Sequence, residues 1–239
     1  MRLCINIDHI ATLRNARGGS EPDPITAALI CERAGVDGIV CHLREDRRHI
    51  NDNDVARLRA SITTKLDLEM AATPEIVKIA LKTKPDLVTL VPERRQELTT
   101  EGGLDVVRLK SSLRTAIKRF HNHGIPVSLF VDPVRHQVAT AKDIGSDMVE
   151  LHTGEYAEAR TQQQRRRLLH TIHTAAQFAF SMDLTVNAGH GLNYKNITGV
   201  SKIEEIEEVS IGHAIIAHGI IVGLEQAAKE MLGLVKRRT

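Results

Sequence analysis

The sequence lacks tryptophan and has few other aromatic residues, which make up 3% of its 239 residues. Its formal net charge is only +2. Proteins that bind nucleic acids use a strongly basic surface or aromatic side chains on which bases stack. The sequence offers neither, and its basic runs at 165–167 and 236–238 are typical of solvated helix faces. We therefore expect no nucleic-acid partner.

Cysteines and long apolar runs are also scarce. Cys4, Cys31 and Cys41 form no CxxC pair and have apolar neighbours, which predicts buried, reduced thiols in a reducing compartment. No stretch approaches the ~18 uncharged apolar residues that a membrane span requires. An apolar strand pattern follows Met1 and Arg2 directly, which leaves no room for a signal peptide. These features favour a cytoplasmic location and no membrane partner.

The chain does contain a regular alternation of short apolar runs and helical patterns. Such alternation indicates parallel strands joined by right-handed helical crossovers. The predicted strands cover residues 3–7, 39–41, 66–70, 87–91, 127–131, 148–151, 184–187 and 209–211. A polar loop with Arg17 follows the first strand, and the predicted helices cover residues 23–34, 55–63, 74–81, 106–122, 134–144, 156–181 and 219–235, with a short helical connection within 193–208.

Eight strands and eight helical connections predict a (β/α)8 TIM barrel built by one domain over residues 1–239. A doubly wound open sheet is the competing architecture, but no GxGxxG motif follows the first strand. The longest irregular stretch, residues 92–104, ends with the pair Gly102 and Gly103. It fits a hinged lid and a static surface loop equally well.

Ionisable residues collect at the carboxyl ends of the predicted strands, where barrels of this type hold their active sites. His42 and Glu69 end adjacent strands, so their side chains can converge, and a carboxylate beside an imidazole orients one tautomer and raises its pKa. We interpret His42, Glu69 and His190 as acid–base residues. For Asp8, His9 and Glu150, which lie at similar positions, a structural role is as good an explanation.

Glycines at two strand ends indicate anion binding. Gly212 and His213 follow the last strand, and His190 and Gly191 follow strand 7. The loops after strands 7 and 8 often bind phosphate through backbone N–H groups and a helix amino terminus. Arg17, beside two glycines, and Arg44 are candidates for a second anion site. Each glycine also fits an ordinary turn, but the two sets together favour one or two phosphorylated substrates.

Several mechanisms lack the residues they need. No lysine ends a strand, which disfavours an aldolase that forms a Schiff base on the enzyme. The first strand has no HxH pair, and His121 and His123 precede strand 5, on the opposite face. No spacing of metal ligands is evident, so we predict no metal. Walker and dinucleotide motifs are absent too.

Several segments, taken in order along the chain, resemble the pyridoxine 5'-phosphate synthase family. The resemblance spans essentially the whole chain, and the set of motifs is highly specific. The segments are 6–18 (NIDHIATLRNARG), 42–50 (HLREDRRHI), 68–71 (LEMA), 90–93 (LVPE), 99–106 (TTEGGLDV), 127–130 (VSLF), 150–154 (ELHTG) and 186–192 (VNAGHGL).

The resemblance implies a (β/α)8 barrel with a few additional helices, assembled as a homo-octamer. It also implies the last, ring-closing step of vitamin B6 biosynthesis. In that family, 3-amino-2-oxopropyl phosphate condenses with 1-deoxy-D-xylulose 5-phosphate to give pyridoxine 5'-phosphate, phosphate and water. The reaction needs no metal or organic cofactor.

The resemblance also implies roles for individual residues. His42 and Glu69 match the proton acceptors, His190 the proton donor and Glu150 a carboxylate that stabilises the transition state. Contacts to the amino-ketone phosphate match Asn6, Arg17, Gly191, Gly212 and His213. Contacts to the deoxyxylulose phosphate match Asp8, His9, Arg44, His49 and Thr99. Some relatives have arginine in place of His213, whose charge varies with pH, so the resemblance is weakest there.

Two other functions fit parts of the pattern. A barrel isomerase or epimerase acting on a single sugar phosphate needs only one phosphate site, so the second set, Arg17 and Arg44, argues against it. A regulator that binds a phosphorylated metabolite without turnover has no need for convergent His42, Glu69 and His190. The residues alone leave both functions open, whereas the family resemblance favours the synthase.

Overall fold

The computed structural model describes residues 1–93 and 102–236. Its strands are parallel and close into a barrel in chain order, with β8 hydrogen-bonded to β1. The predicted (β/α)8 fold is confirmed. The strands are β1 (Arg2–Asn6), β2 (Gly38–His42), β3 (Lys65–Met70), β4 (Leu87–Leu90), β5 (Val127–Val131), β6 (Met148–His152), β7 (Thr185–Gly189) and β8 (Ile206–Ile211).

Helices follow the strands, and there are more of them among the described residues than one for each strand. They are α1 (Asp8–Arg17), α2 (Pro24–Ala34), α3 (Asp52–Ser61), α4 (Pro74–Thr83), α5 (Lys110–His121), α6 (Arg135–Asp143), α7 (Gly154–Ala157), α8 (Gln162–Ser181), α9 (Ile197–Val200), α10 (His213–Val222) and α11 (Leu224–Lys236). No described helix combines the length and apolar character needed to cross a membrane.

The hydrophobic core lies between the strands and the helices, because alternate strand residues point to opposite faces. Leu66, Leu68 and Met70 of β3 are fully buried in the main apolar cluster. The residues between them, among them Asp67 and Glu69, point into the barrel. The same alternation recurs in β1, β2 and β6, so the barrel interior is polar, whereas branched apolar side chains fill most barrels of this type.

The starts of α2 and α3 follow from local sequence. Asp23 caps α2 by accepting a hydrogen bond from the N–H of Ile25, and Pro24 occupies the first turn. Asn51 and Asp54 form a reciprocal capping box at α3. Both helices are close to their predicted positions because these signals can be read directly from the residues.

The prediction of a polar loop after β1 is wrong, because these residues form α1. Its N-cap residue, Ile7, makes no side-chain capping bond, so the usual start signal is missing. A tertiary contact holds the helix instead. The buried Arg14 guanidinium donates to both carboxylate oxygens of Asp54, at 2.7 and 2.8 Å. The helix places Asp8 and His9 beside the carboxyl end of the barrel.

Two predicted long helices are each divided in the structure. The predicted helix 219–235 consists of α10 and α11, separated by Gly223, whose φ of 89° favours glycine. The predicted helix 156–181 consists of α7 and α8, and Thr161 caps α8 by accepting from the N–H of Gln164. The consequence for the site is that α10 begins at His213, directly after β8.

Candidate active site

A cavity of about 550 Å³ opens at the carboxyl ends of the strands. All the predicted site residues except Arg17 and Thr99 line it. Arg17 ends α1 and is exposed, outside the cavity lining. Thr99 and most of the predicted lid lie outside the described residues. The structure therefore brings together acid–base candidates that are far apart in the chain.

Asn6 connects two carboxyl groups at the cavity floor. Its Nδ2 donates to Asp8 Oδ2 at 3.0 Å and to Glu69 Oε2 at 3.3 Å, while its Oδ1 accepts from the backbone N–H of Asp8 at 2.9 Å. Asp8 Oδ1 in turn accepts from the backbone N–H of His42 at 2.8 Å. The ends of β1, β2 and β3 are thereby held in one network.

His42 and Glu69 are direct neighbours across β2 and β3, as predicted. The carboxylate that bonds to the imidazole is different from the predicted one: Glu93, after β4, accepts from His42 Nε2 at 2.9 Å, whereas Glu69 bonds to Asn6. Burial raises the pKa of Glu93, but the hydrogen bond and charge of His42 outweigh burial and hold it below its usual value.

Glu69 and Glu150, two carboxyl groups that line the cavity, have raised pKa values. Burial, followed by the charges of Glu150 and Asp8, raises the pKa of Glu69 well above its usual range. Burial, followed by the charges of Asp67 and Glu208, raises the pKa of Glu150 to about 8. A group such as Glu150 that titrates near neutrality suits proton transfer, and strongly shifted groups in a cleft mark functional sites.

Glu150 lies so close to β7 that only glycine fits opposite its carboxyl group. A Cβ at Gly189 would overlap Oε1 of Glu150. Glu150 is 3% exposed and its register partner on β7 is Asn187. The glycine that ends β7 therefore makes room for an acid.

His190 follows β7 in an unusual backbone conformation, with a φ of 81°. The hydroxyl of buried Thr153 donates to the carbonyl oxygens of Gly189 and His190, at 2.8 and 2.6 Å, and so holds this turn. The ring packs against Phe130 and His152. Burial, followed by the charge of His152, lowers the pKa of His190 to about 4.

A second histidine–carboxylate pair lies behind His190. His152 Nδ1 and Asp132 Oδ1 are 2.9 Å apart, and the same oxygen accepts from the backbone N–H of Gly103 at 2.9 Å. The hydrogen bond from His152 lowers the pKa of Asp132. The ring centroids of His152 and His190 are 5.1 Å apart. The pair thus supports the wall that carries His190.

The amino terminus of α10 offers an anion site. Gly212 is its N-cap residue and makes no side-chain capping bond, so the first N–H groups of the helix point at the cavity. A Cβ at Gly212 would lie 3.0 Å from the carbonyl oxygen of Asn6, so glycine allows this close approach. The rings of His213 and His9 meet edge to face at 5.0 Å. The phosphate site expected here stays a prediction.

His49 and Arg44, which follow β2, also line the cavity. His49 Nδ1 accepts from the backbone N–H of Ile50 at 2.9 Å, so its ring hydrogen is on Nε2 in the neutral form. Burial is the main cause that lowers the pKa of His49. Arg44 is buried and lines the cavity. These donors suit a second anion.

Asp8, His42 and Glu69 place one potential ligand atom each within 4.8 Å of one another. Both oxygens of Asp8 and Nε2 of His42 already have hydrogen-bond partners. The three residues are still a possible ligand set among the described residues, and the absence of a metal stays a prediction.

The amino end of the barrel interior is also charged. Lys65 Nζ is bonded to Glu208, and the Thr89 hydroxyl donates to both oxygens of Asp67, at 2.9 Å. Burial raises the pKa of Asp67 to about 7, although the charge of Lys65 lowers it. The charges of Asp67 and Glu208 contribute to the raised pKa of Glu150, whereas the charge of Lys65 lowers it.

Sequence reasoning missed Glu93, Asp132 and the role of His152. Glu93 comes three residues after β4 and Asp132 directly after β5, so both occupy the strand-end positions that flagged the other site residues. His152 lies within the segment 150–154 that carries the family resemblance, but it was assigned no role. Strand-end position was therefore a usable signal, while the pairing partners required coordinates.

Comparison with known proteins identifies the family of the chain. A model described as "Pyridoxal phosphate biosynthesis protein PdxJ" matches residues 3–237. A pyridoxine 5'-phosphate synthase of Pelodictyon phaeoclathratiforme is 60% identical over 236 residues, covering 99% of this chain and 100% of that protein. One of Chlorobium phaeobacteroides is 59% identical, with the same coverage.

Solved structures of other enzymes share the barrel. A thiamine phosphate pyrophosphorylase from Pyrococcus furiosus has a TM-score of 0.64 at 14% identity, covering 99% of this chain and 96% of that one. At this identity the likeness shows the fold alone. The whole-length matches in sequence go further, and the chain belongs to the PdxJ family of pyridoxine 5'-phosphate synthases.

Proposed function

We propose that the chain condenses 3-amino-2-oxopropyl phosphate with 1-deoxy-D-xylulose 5-phosphate and closes the ring of pyridoxine 5'-phosphate. The observation that carries the proposal is the convergence of His42, Glu69, Glu150 and His190 on one cavity with anion donors at two sides. Ring closure by successive dehydrations and loss of phosphate requires several proton transfers, and several acid–base groups in one site can perform them.

The two phosphates have separate binding groups in this proposal. The amino terminus of α10 with Gly212 and His213 binds the phosphate of the amino ketone, beside Asn6 and Gly191. Arg44 and His49 bind that of the deoxyxylulose, together with Asp8 and His9. Arg17 and Thr99 remain predictions from the family resemblance, since neither is among the described residues that line the cavity.

The charge state of His190 fits a proton donor that becomes protonated when substrate binds. Its pKa of about 4 makes the ring neutral in the empty site at neutral pH. A phosphate bound nearby raises the pKa of an imidazole, because it favours the cation. His190 therefore takes up a proton as substrate binds and passes it to a leaving oxygen, while His42 and Glu69 accept protons from carbon and nitrogen. Glu150 stabilises the charge that develops between them.

No lysine is among the described residues that line the cavity. The amine of one substrate and the carbonyl of the other form the Schiff base directly, and the protein moves the protons. An isomerase of a single sugar phosphate is a weaker proposal, because one phosphate leaves the Arg44 side of the cavity without a ligand.

Self-association forms part of the proposal. Ile220 and Ile221 at the end of α10 are 69% and 80% exposed, and contiguous exposed apolar side chains are typical of interfaces. We propose that copies of the chain pack here, in an assembly that the family resemblance implies to be an octamer. A cytoplasmic location also stays a prediction, and the free cysteines Cys4, Cys31 and Cys41 fit it.

The decisive experiment supplies both phosphorylated substrates to purified, metal-stripped protein. We expect pyridoxine 5'-phosphate and free phosphate to form in equal amounts. Arg44→Ala should mainly raise KM for the deoxyxylulose phosphate. The control is Arg108→Ala, at an exposed residue, which should leave KM unchanged. Well-folded wild-type protein that yields no product would rule out the assignment.

A further inference from the structure

Glu93 is held by three donors from two neighbouring strand ends. Its Oε1 accepts from His42 Nε2 at 2.9 Å and from the backbone N–H of Ala71 at 3.1 Å, and its Oε2 accepts from the backbone N–H of Glu45 at 3.0 Å. The Glu93 side chain is only 5% exposed. A carboxylate with this many donors is fixed in both position and charge.

The ionised carboxylate determines which ring nitrogen of His42 carries hydrogen. Two backbone N–H groups already require Glu93 to act as an acceptor, so the contact with His42 is made by an Nε2–H donor. In the neutral ring the lone pair is then on Nδ1. The backbone of His42 is fixed as well, by its N–H bond to Asp8. Both the tautomer and the direction of the ring are thereby set.

We propose that Glu93 is a positioning residue that fixes His42 as the Nε2–H tautomer, so that Nδ1 is the atom that accepts the substrate proton. The inference rests on the proposed function for the identity of the reaction, but the tautomer is a property of the empty enzyme. Proton transfer moves a hydrogen from substrate carbon or nitrogen to Nδ1 and leaves a cationic ring, which the Glu93 carboxylate stabilises.

Replacement by glutamine tests this role because it keeps the shape of the side chain. Glu93→Gln cannot accept from all three donors, since one of its terminal atoms is an NH2 group. When that group faces the ring, it donates to Nε2 and forces the hydrogen onto Nδ1, which removes the base. When it faces the N–H of Glu45 instead, the Nε2–H bond is kept, but the cationic ring loses the charge that stabilises it. We expect kcat to fall by about a hundredfold and KM to change less than about threefold.

The chain offers a matched control. His218 Nε2 and Glu230 Oε2 form a histidine–glutamate pair at 2.7 Å on the surface between α10 and α11, away from the cavity lining. Glu230→Gln should leave kcat and KM unchanged. Glu93→Asp should restore part of the lost activity, because it keeps the charge but shortens the reach.

Nitrogen-15 NMR of labelled histidine reads the tautomer directly in wild-type protein. We expect the signals of His42 to show hydrogen on Nε2 in the wild type, and a mixed or Nδ1–H form in Glu93→Gln. An Nδ1–H form in the wild type overturns the inference, even if Glu93→Gln does not fold. Unchanged kcat in a folded Glu93→Gln overturns it as well. Failure of the wild type to make product would defeat the proposed function and leave the tautomer result standing.

Discussion

At the amino end of the barrel interior Glu208 is bonded to a cation, Lys65, whereas at the carboxyl end Glu69 receives its hydrogen bond from the neutral amide of Asn6. Both carboxyl groups are enclosed by the same strands. The bond to Lys65 joins Glu208 to a neighbouring element of the fold, whereas burial, followed by the charges of neighbouring carboxyl groups, raises the pKa of Glu69. The difference teaches that burial without a cation as partner, among other acids, is what sets apart an acid suited to proton transfer.

The largest expected effect concerns Glu69, at the carboxyl end of the barrel interior. Glu69→Gln removes a proton acceptor but keeps the side-chain shape, so we expect kcat to fall by about a hundredfold to a thousandfold. The free energy of unfolding should not decrease, because the change removes a group with a raised pKa from among other carboxyl groups. Steady-state kinetics and urea unfolding measure both. The control is Glu207→Gln, on the exposed face of β8, and equal rates in the two variants would contradict the comparison.

A substitution at the amino end of the barrel interior should instead lower the free energy of unfolding. Lys65→Met leaves buried Glu208 with only the half-exposed Arg2, at 3.4 Å, as a cation, and we expect the free energy of unfolding to drop by up to about 3 kcal/mol. Lys229→Met, which breaks the exposed pair with Glu225, should leave the free energy of unfolding almost unchanged. Urea unfolding of both variants measures the difference. A similar cost for the two would mean that the interior pair does not stabilise the fold.

We expect an effect of intermediate size at the pair of Asp132 and His152 behind His190. Asp132→Asn loses the carboxylate that orients His152, and we expect kcat to fall by about tenfold with little change in KM. The matched control is Asp147→Asn, which alters an exposed histidine–aspartate pair with His121 at the amino end of the barrel. Kinetics that show the same kcat for both variants would make the Asp132 pair purely structural.

The smallest expected effect concerns pH. The pKa of Glu150 is raised to about 8 by burial, so the folded state binds its proton more tightly than the unfolded state. The resulting stability is present below about pH 4.5 and is lost as pH rises towards 8. Unfolding at pH 5 and pH 8 should show a smaller loss in Glu150→Gln than in the wild type, by at least about 1 kcal/mol, the equivalent of one pKa unit. Parallel curves for the two proteins would contradict the raised pKa.

Much of the fold was predictable because its elements carry local signals. The strands are short apolar runs, and α2 begins at an Asp–Pro pair that caps it. The helix α1 was missed because its start has no capping side chain and its stability comes from the distant pair of Arg14 and Asp54. Contacts between residues far apart in sequence leave no local pattern to read.

The residues of the site were easier to predict than the hydrogen bonds between them. Strand-end position identified His42, Glu69 and His190, since parallel strands bring their carboxyl ends to one face. It did not reveal that Glu93 rather than Glu69 bonds to the His42 ring. Which of several nearby carboxylates reaches a given nitrogen depends on side-chain directions and loop paths over distances of an ångström, and these emerge only in three dimensions.

The close fit of Gly189 against the Glu150 carboxyl group has a consequence for how the sequence can vary over evolution. Any side chain introduced at 189 would displace the carboxyl end of Glu150 from its present position. The two positions are therefore expected to vary together. A barrel of this lineage in which both have changed would mark a branch that has given up this chemistry.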